Sequence, residues 1–299
     1  MRADHLKELQ IEHANETFKT ICAGSFEGGL YHDYFREIPF LRTQALLKRA
    51  GADLNGKRVL IASCGTGIDV YYMKKYFNCT FFVTDISENA VAIAKASFPG
   101  IEGRVEDAEK LSFSDDSFDY TFIAASLHHL PRPVLGLYEL IRVSKKGVIV
   151  IEPNDSCLTR IATAWGLATE VEESGNYVYR LSKHDVARIA KSLFVGFEVD
   201  RFFAVHRIAK TKGEFFLLKI LNGLANWVIP SFGNYIVFFI SKQQSCNKIA
   251  NFSRQKPSEG CLLAEANRLS SEPSIYTDRP DTPIDLRNTP IDLRDMQLA

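Results

Sequence analysis

The sequence predicts an α/β fold in which an open, parallel sheet is flanked by helices. Along residues 59–151, short apolar segments alternate with helical segments at about the spacing of repeated βαβ units. A polar residue follows each predicted strand, and these residues are Ser63, Asp85, Asp107, Ser126 and Glu152. Because open α/β sheets bind ligands outside the carboxyl ends of their strands, we expect these side chains to surround one site.

The first predicted strand runs from Val59 into a turn that contains Gly65 and Gly67. Its continuous apolar run is typical of a parallel strand that is buried on both faces. The glycines let the turn be tight and let a ligand approach the backbone. The predicted helix 68–77 then directs its first N–H groups at that ligand. The pattern indicates a cofactor-binding turn, although a strand, turn and helix of this kind can also be a plain connection.

The second predicted strand, 80–84, ends at Asp85, eighteen residues beyond Gly67. An acidic residue in this place can accept hydrogen bonds from both hydroxyls of a ribose. The alternative is that Asp85 only caps the next predicted helix, 88–96. Ser87 is the better N-cap because its hydroxyl directly precedes this alanine-rich segment, and this leaves Asp85 for ligand binding.

The remaining elements continue the alternation of strands and helices. Further strands are predicted at 101–106, 118–125, 148–151, 197–205 and 234–240, and further helices at 134–143 and 181–193. A turn at 145–147 is predicted to separate the helix that ends at residue 143 from the strand that follows it.

The chain divides into three predicted parts. Residues 1–55 are mostly helical and either cap a pocket or simply cover the sheet. Residues 56–242 form the main domain. From 243 to 299 the apolar content falls, so we expect a disordered tail that cannot offset its chain entropy. The tail repeats Thr-Pro-Ile-Asp-Leu-Arg at 282–287 and 289–294, and no function is assigned to this repeat.

An apolar insert, 213–233, stands out within the main domain. It is rich in Phe, Leu and Ile, but Lys219, Asn222, Gly223, Asn226 and Pro230 interrupt it, which argues against a membrane span. The insert is expected to be a lid over a lipophilic substrate, an interfacial helix in peripheral contact with a membrane, or a dimer face. A helix packed on the sheet is the simplest alternative.

Composition narrows the class of protein. The formal net charge is zero, which disfavours a dedicated nucleic-acid binder. The six cysteines are far apart and form no C-x-x-C pair, so we expect no disulfide framework and no metal site. A reduced, cytoplasmic setting fits this cysteine usage. The first seven residues contain no apolar segment, so no signal peptide is predicted.

The chain resembles the class I S-adenosylmethionine-dependent methyltransferases of the small-molecule type. The resemblance lies in the family's glycine-rich motif, its ribose-binding motif, its adenine-holding stretch, and its fourth strand end with the helix and turn that follow. These segments are 59–67, 83–87, 105–113 with 117–119, and 126–130 with 139–147. The resemblance implies a Rossmann-like fold: a mostly parallel, seven-stranded sheet with helices on both faces and an antiparallel last strand.

The resemblance also implies S-adenosyl-L-methionine as the cofactor. The residues implied to hold it are Ser63, Cys64, Gly65, Thr66, Gly67, Asp85, Ile86, Asp107, Ala108 and Ser126. The chain departs from the family at one position. The family usually has an acidic residue two positions before the first glycine of the loop, where it helps hold the methionine end of the cofactor. In this part of the loop the chain has Ile61 and Ser63, and neither residue is acidic.

The reaction implied by the resemblance is in-line methyl transfer from the sulfonium. The protein then mainly supplies orientation and a dry pocket. A base is needed only if the acceptor loses a proton, and an imidazole titrates in the right range. His129 is preferred to His128 for this role, and Glu152 is a second candidate base or a ligand for an acceptor hydroxyl. Alternatively, one histidine packs against the strand end and the other is solvated.

The acceptor is predicted to be a small molecule. Residues 126–129 read Ser-Leu-His-His, which differs from the Asn/Asp-Pro-Pro-aromatic motif of enzymes that methylate base or amide nitrogens. Together with the zero net charge, this disfavours a nucleic-acid substrate. The apolar insert favours a lipophilic acceptor such as a lipid, a quinone or a polyketide, and a saccharide or its lipid-linked form remains open.

Two other classes of protein remain open. A nicotinamide-dependent oxidoreductase would use a similar sheet, but its G-x-G-x-x-G loop requires a third glycine where this chain has Val70. A degenerate methyltransferase-fold protein that interacts with partners without catalysis is the stronger alternative, because of Ile61 and Ser63. Cofactor titration separates a degenerate protein from an active methyltransferase, since a degenerate protein should not bind the cofactor.

Overall fold

The computed structural model describes residues 3–19, 30–172, 175–204, 211–229 and 232–242. Its strands are β1 (Arg58–Ala62), β2 (Thr80–Asp85), β3 (Glu102–Val105), β4 (Phe118–Ala124), β5 (Ser144–Pro153), β6 (Gly196–Phe202) and β7 (Tyr235–Ser241). Its helices are α1 (Ala3–Lys19), α2 (Leu30–Ala50), α3 (Ile68–Tyr76), α4 (Glu88–Ser97), α5 (Pro133–Val143), α6 (Cys157–Ala164), α7 (Lys183–Ser192) and α8 (Lys212–Val228).

The described strands form one sheet in the order β3-β2-β1-β4-β5-β7-β6. Strands β1 to β5 are parallel, whereas β7 is antiparallel to both β5 and β6. The predicted fold class is therefore confirmed. The chain moves outward from β1 to β3 and then returns to β4 on the other side of β1. The crevice between the carboxyl ends of β1 and β4 is thus the switch point at which such sheets bind ligands.

The sheet is buried on both faces, and β1 shows this most clearly. Val59 and Ile61 belong to one apolar core, which also contains residues of α2 and α3. Leu60 and Ala62 point to the opposite core, which contains residues of α5 and α7. All four side chains have 0% exposure. Burial on both faces is why this strand has a continuous apolar sequence rather than an alternating one.

The predicted turn at 145–147 is wrong, because these residues lie inside β5. Helix α5 ends at Val143 and the chain enters the strand at once. The glycine in this segment serves strand pairing instead. A Cβ on Gly147 would lie 2.3 Å from the carbonyl oxygen of Ile240 on β7 and 2.6 Å from the Phe239 ring, so only glycine lets β7 approach this closely.

The described N-terminal residues include two helices, α1 and α2. Helix α2 begins at Leu30 and continues through Pro39. The Thr43 hydroxyl donates a hydrogen bond to the Pro39 carbonyl oxygen at 2.8 Å and thus satisfies one acceptor of this irregular turn. The apolar side chains of Leu46 and Leu47 pack into the core beside β1.

Most of the apolar insert forms α8, which starts at an N-cap made by the Thr211 hydroxyl. Only Leu218 and Asn222 of this helix are buried. Its exposed apolar side chains are Phe216, Leu217, Ile220, Leu221, Leu224, Trp227 and Val228. Within the described part of the chain, every helix is too short or too polar to cross a membrane. The tail predicted at 243–299, with its repeat, lies outside the described residues.

Candidate functional site

The turn after β1 has the left-handed backbone that its glycines permit. Gly65 and Gly67 have φ angles of +49° and +89°, and Ser63 has φ +51° although it carries a Cβ. The Cys64 N–H donates to the Thr84 carbonyl oxygen at 2.9 Å, which ties the turn to β2. Gly67 is also the N-cap of α3, so the first N–H groups of this helix face the space above the turn.

Asp85 lies at the carboxyl end of β2, directly beside the glycine turn. One carboxylate oxygen accepts the Gly65 N–H and the other accepts the Ser87 N–H, each at 2.9 Å. Burial raises the pKa of Asp85, while the N–H groups of Ser87, Gly65 and Ile86 oppose that rise. Asp85 is therefore not free of structural contacts. Three N–H groups on the roughly four lone-pair positions of a carboxylate leave room for a further donor.

The predicted N-cap of α4 is confirmed. The Ser87 hydroxyl accepts the Ala90 N–H at 3.2 Å, as a serine N-cap should. The same hydroxyl donates to the Asn15 side-chain oxygen at 2.6 Å, and the Asn89 amide donates to the Asn15 carbonyl oxygen at 3.0 Å. The end of α1 is thus held against the start of α4.

Helix α1 lies across the carboxyl edge of the sheet. Lys7 pairs with Asp107 after β3 and with Glu109, whose carboxylate lies 2.8 Å from the ammonium nitrogen. Gln10 donates to the His129 carbonyl oxygen. The Phe18 ring lies 3.6 Å from the point that a Cβ on Gly65 would occupy. The helix therefore contacts residues that follow β1, β3 and β4.

His128 and Glu152 form a buried pair between the ends of β4 and β5. Their Nδ1 and Oε2 atoms are 2.5 Å apart, and the two side chains are 9% and 2% exposed. The other carboxylate oxygen accepts the N–H groups of Ser126 and Leu127 at 2.9 and 2.7 Å. Burial lowers the pKa of His128, but the charge and hydrogen bond of Glu152, together with the charge of Glu172, outweigh burial and raise the pKa above its ordinary value.

His129 stands beside this pair and is more accessible. Its side chain is 45% exposed, and its ring centroid is 4.1 Å from that of His128. Burial and the neighbouring charge of His128 lower the pKa of His129. Its Nδ1 lies 3.8 Å from a carboxylate oxygen of Glu172, and His128 Nε2 lies 4.0 Å from the same oxygen.

The structure brings the predicted residues to one edge of the sheet. The glycine turn, Asp85 and Asp107 follow the adjacent strands β1, β2 and β3, and Ser126, His128 and His129 follow β4. Thr66 and Ile86 are half-buried, whereas Cys64 and Ala108 are buried. Burial raises the pKa of the Cys64 thiol well above its ordinary value, so this group stays neutral.

Sequence reasoning missed Glu172 and the contacts of α1. Glu172 lies 43 positions beyond His129 in an irregular segment, where no strand or helix pattern points to the site. Lys7 lies in α1, and the many polar residues of this helix are typical of a solvent-exposed helix without a functional role. Ile61, at the position of the family's acidic residue, has 0% exposure and belongs to the core beside α3. No carboxylate is available at that position.

Part of the chain is similar to known methyltransferases. Residues 60–151 match a family model described as a methyltransferase domain. The chain is 34% identical to a demethylmenaquinone methyltransferase of Staphylococcus aureus over 122 residues, which are 38% of this chain and 51% of the relative. The chain thus spans about half the length of the curated relatives it matches.

Solved structures resemble the chain more distantly. A Pyrococcus horikoshii protein has a TM-score of 0.49 at 18% identity over 76% of this chain and 97% of its own. A magnesium protoporphyrin IX methyltransferase of Synechocystis has a TM-score of 0.47 at 15% identity over 69% of this chain and 84% of its own. Residues 60–151 are thus similar to a methyltransferase domain, and the strand order around them is that of a Rossmann-like α/β sheet.

Proposed function

We propose that this protein transfers a methyl group from S-adenosyl-L-methionine to a small-molecule acceptor. The observation that carries the proposal is the meeting of the glycine turn, Asp85 and Asp107 at one edge of the sheet, directly beside His128 and His129. Cofactor groups and acceptor groups are thus adjacent at the switch point of the fold.

The cofactor site is proposed along the ends of β1, β2 and β3. The turn from Ser63 to Gly67 brings backbone N–H groups and the start of α3 to the carboxylate end of the cofactor. Asp85 keeps room on its carboxylate for a ribose hydroxyl beside the N–H groups it already accepts. The segment at Asp107 and Ala108 lies next along the sheet edge, where the adenine would be held. Lys7 must release Asp107 if that carboxylate is to meet the cofactor.

The bound cofactor supplies a methyl group that is already activated by a positively charged sulfur. The chain's task is then to place the acceptor in line with that methyl group and to exclude water. His128 and His129 face the acceptor side and remain the proposed catalytic residues. Glu152 holds His128 in place by accepting its Nδ1–H and is therefore a positioning residue.

A lipophilic acceptor is proposed because of α8. This helix connects the end of β6 to the start of β7, and Tyr235 at that start pairs with Pro153 at the end of β5. Asn154 also donates its side-chain amide to the Gly233 carbonyl oxygen at 2.6 Å. The exposed apolar surface of α8 therefore lies at the same sheet edge as the proposed site. The Staphylococcus aureus relative, named for demethylmenaquinone, supports an acceptor of this kind.

We also propose that α8 makes peripheral contact with a lipid surface. Seven of its apolar side chains are 45–81% exposed, with Trp227 the most exposed. An apolar helix face of this size is typical of interfacial contact. A cytoplasmic setting, suggested by the cysteine usage, is part of the same proposal.

Calorimetric titration with S-adenosylhomocysteine tests the cofactor assignment. The wild-type chain should bind this product, and Asp85→Asn should weaken binding by about 10-fold or more, because a charged acceptor for the ribose is lost. Asp115→Asn is the matched control, since this carboxylate is exposed and precedes β4 at the opposite edge. Failure of the folded wild-type chain to bind would favour the degenerate, non-catalytic alternative.

A further inference from the structure

We propose that His128, His129 and Glu172 bind a divalent transition-metal ion such as Zn²⁺ beside the acceptor. One ligand atom from each residue can be chosen so that all three lie within 4.8 Å of one another. Two imidazoles and one carboxylate are a ligand set that zinc uses in catalytic sites, where a fourth position stays open. The cluster was not expected from the sequence, because it contains no cysteine and its third member is remote.

The separations fit a site that closes around an ion. The Glu172 oxygen is 4.0 Å from His128 Nε2 and 3.8 Å from His129 Nδ1. Ligand atoms of a tetrahedral zinc site are about 3.3 Å apart, given bond lengths of about 2.0–2.1 Å. Small rotations of the Glu172 and His129 side chains, which are 25% and 45% exposed, would close that gap.

The second nitrogen of His128 is already held as in metal sites. Metal-bound histidines almost always donate their other ring N–H to a carboxylate or carbonyl, which sets the tautomer. Here Nδ1 is 2.5 Å from the Glu152 carboxylate, and that carboxylate is itself held by the N–H groups of Ser126 and Leu127. Nε2 is thus left as the lone-pair nitrogen on the side that faces Glu172.

Glu172 is placed by a local turn that is tied to His128. Its N–H donates to the Asn176 carbonyl oxygen at 2.9 Å, and its carbonyl oxygen accepts the Gly175 N–H at 2.8 Å. Gly175 has φ +84°, a conformation that glycine adopts without strain. The buried Asn176 then donates its side-chain amide to the His128 carbonyl oxygen at 3.2 Å. The remote carboxylate is therefore held near the histidine pair by specific bonds.

The role of the ion rests on the proposed function. It would take an oxygen acceptor, such as a phenol or enol, in its open position and lower the pKa of that hydroxyl. The hydroxyl proton passes to water. The oxygen lone pair then forms the bond to the methyl carbon while the carbon–sulfur bond breaks, and its electron pair stays on sulfur. The two histidines would then influence the acceptor's proton indirectly, as ligands of the ion.

The test is metal binding by the full chain after removal of metals with a chelator. Zn²⁺ is titrated by calorimetry, and Co²⁺ is added as a spectroscopic probe of nitrogen coordination. The wild-type chain should take up one ion, and Glu172→Gln and His129→Ala should each weaken binding by more than the about 10–100-fold that loss of an outer-shell partner costs. Glu170→Gln and His184→Ala are matched controls, because both residues are exposed and lie outside the cluster.

Two results would overturn the proposal. One is absence of stoichiometric Zn²⁺ binding by the folded wild-type chain. The other is equal affinity in the wild type, Glu172→Gln and His129→Ala, which would mean adventitious binding only. S-adenosylhomocysteine binding is measured on the same samples. Cofactor binding without metal binding removes only the metal site, whereas absence of cofactor binding removes the proposed function.

Discussion

The Oε2 atom of Glu152 lies 2.5 Å from Nδ1 of His128, and both side chains are buried. The other oxygen of the same carboxylate receives two backbone N–H groups from the segment that follows β4, those of Ser126 and Leu127. One carboxylate at the end of β5 thus orients both the backbone and the imidazole at the end of β4. This arrangement predicts that the charge of Glu152 matters as much as its shape.

Glu152→Gln should lower the free energy of unfolding by about 1–3 kcal/mol, measured by denaturant titration. The glutamine oxygen can keep the two backbone N–H groups, but its NH2 group then faces Nδ1–H of His128. The imidazole must therefore change tautomer, or a buried donor is left unpaired. Glu102→Gln, at a carboxylate that is 74% exposed on β3, should change stability by less than about 0.5 kcal/mol. Equal effects of the two substitutions would contradict the role given to Glu152.

Gly67 and Gly100 form a matched pair, with φ angles of +89° and +86°. Alanine at either position would have to adopt a left-handed backbone, which lowers the free energy of unfolding by about 1–2 kcal/mol. A Cβ on Gly67 would also lie 3.0 Å from the Phe98 ring and 3.3 Å from the Ala94 Cβ, whereas Gly100 has open space. Gly67→Ala should therefore cost more stability than Gly100→Ala. Indistinguishable thermal unfolding of the two variants would show that packing at the turn is looser than described.

Asp69 on α3 gives the chain a specific pH dependence. Burial raises its pKa to about 7, with Arg36 opposing and Glu152 adding to the rise. A carboxyl whose pKa is higher in the folded than in the unfolded state favours folding while protonated. Its contribution is therefore lost as pH rises from about 4 to about 7, by at most about 4 kcal/mol. Above pH 7 the folded state carries a buried charge.

The matching variant is Asp69→Asn. It should be more stable than the wild type at pH 8, and its unfolding free energy should vary less between pH 5 and pH 8, as measured by denaturant titration at each pH. Asp115→Asn, at a carboxylate that is 74% exposed, should keep the wild-type pH profile. A wild-type chain whose stability rises from pH 5 to pH 8 in step with Asp69→Asn would rule out the raised pKa.

The apolar surface of α8 predicts binding to lipid vesicles. Phe216→Ser combined with Trp227→Ser removes two of its most exposed side chains, which are 64% and 81% exposed. This variant should lose most co-sedimentation with neutral phosphatidylcholine vesicles, because interfacial binding scales with apolar area. Phe194→Ser, at an equally exposed ring after α7, is the control. Vesicle binding that is unchanged in the double variant would exclude α8 as the contact.

Much of the fold could be predicted because apolar patterning is local. The apolar run that begins at Val59 predicts a buried strand, and Ser87 predicts the start of α4. Lys145, Lys146 and Gly147 misled the prediction, since two charged residues and a glycine usually mark a turn. Here the missing side chain of Gly147 instead lets β7 approach closely. That strand lies about 90 residues further along the chain, so the contact is not visible in the local sequence.

The site could be predicted only in part, for the same reason. Residues at strand ends are placed by the βαβ order, so Asp85 and Asp107 could be assigned to one edge in advance. Glu172 reaches the histidines through hydrogen bonds of an irregular segment, and Lys7 reaches Asp107 from a helix 100 positions earlier. Contacts of this kind carry no periodic signal in the sequence.

The edge formed by β1, β2 and β3 is the proposed binding site of S-adenosylmethionine. The most direct measurement is a crystal structure of the full chain grown with S-adenosylhomocysteine. The ribose hydroxyls should lie within hydrogen-bond distance of Asp85, with the amino-acid end over the turn at Gly65 and the adenine beside Asp107. Product bound elsewhere, or a crystal at saturating product with α1 still covering this edge and no product present, would contradict this assignment.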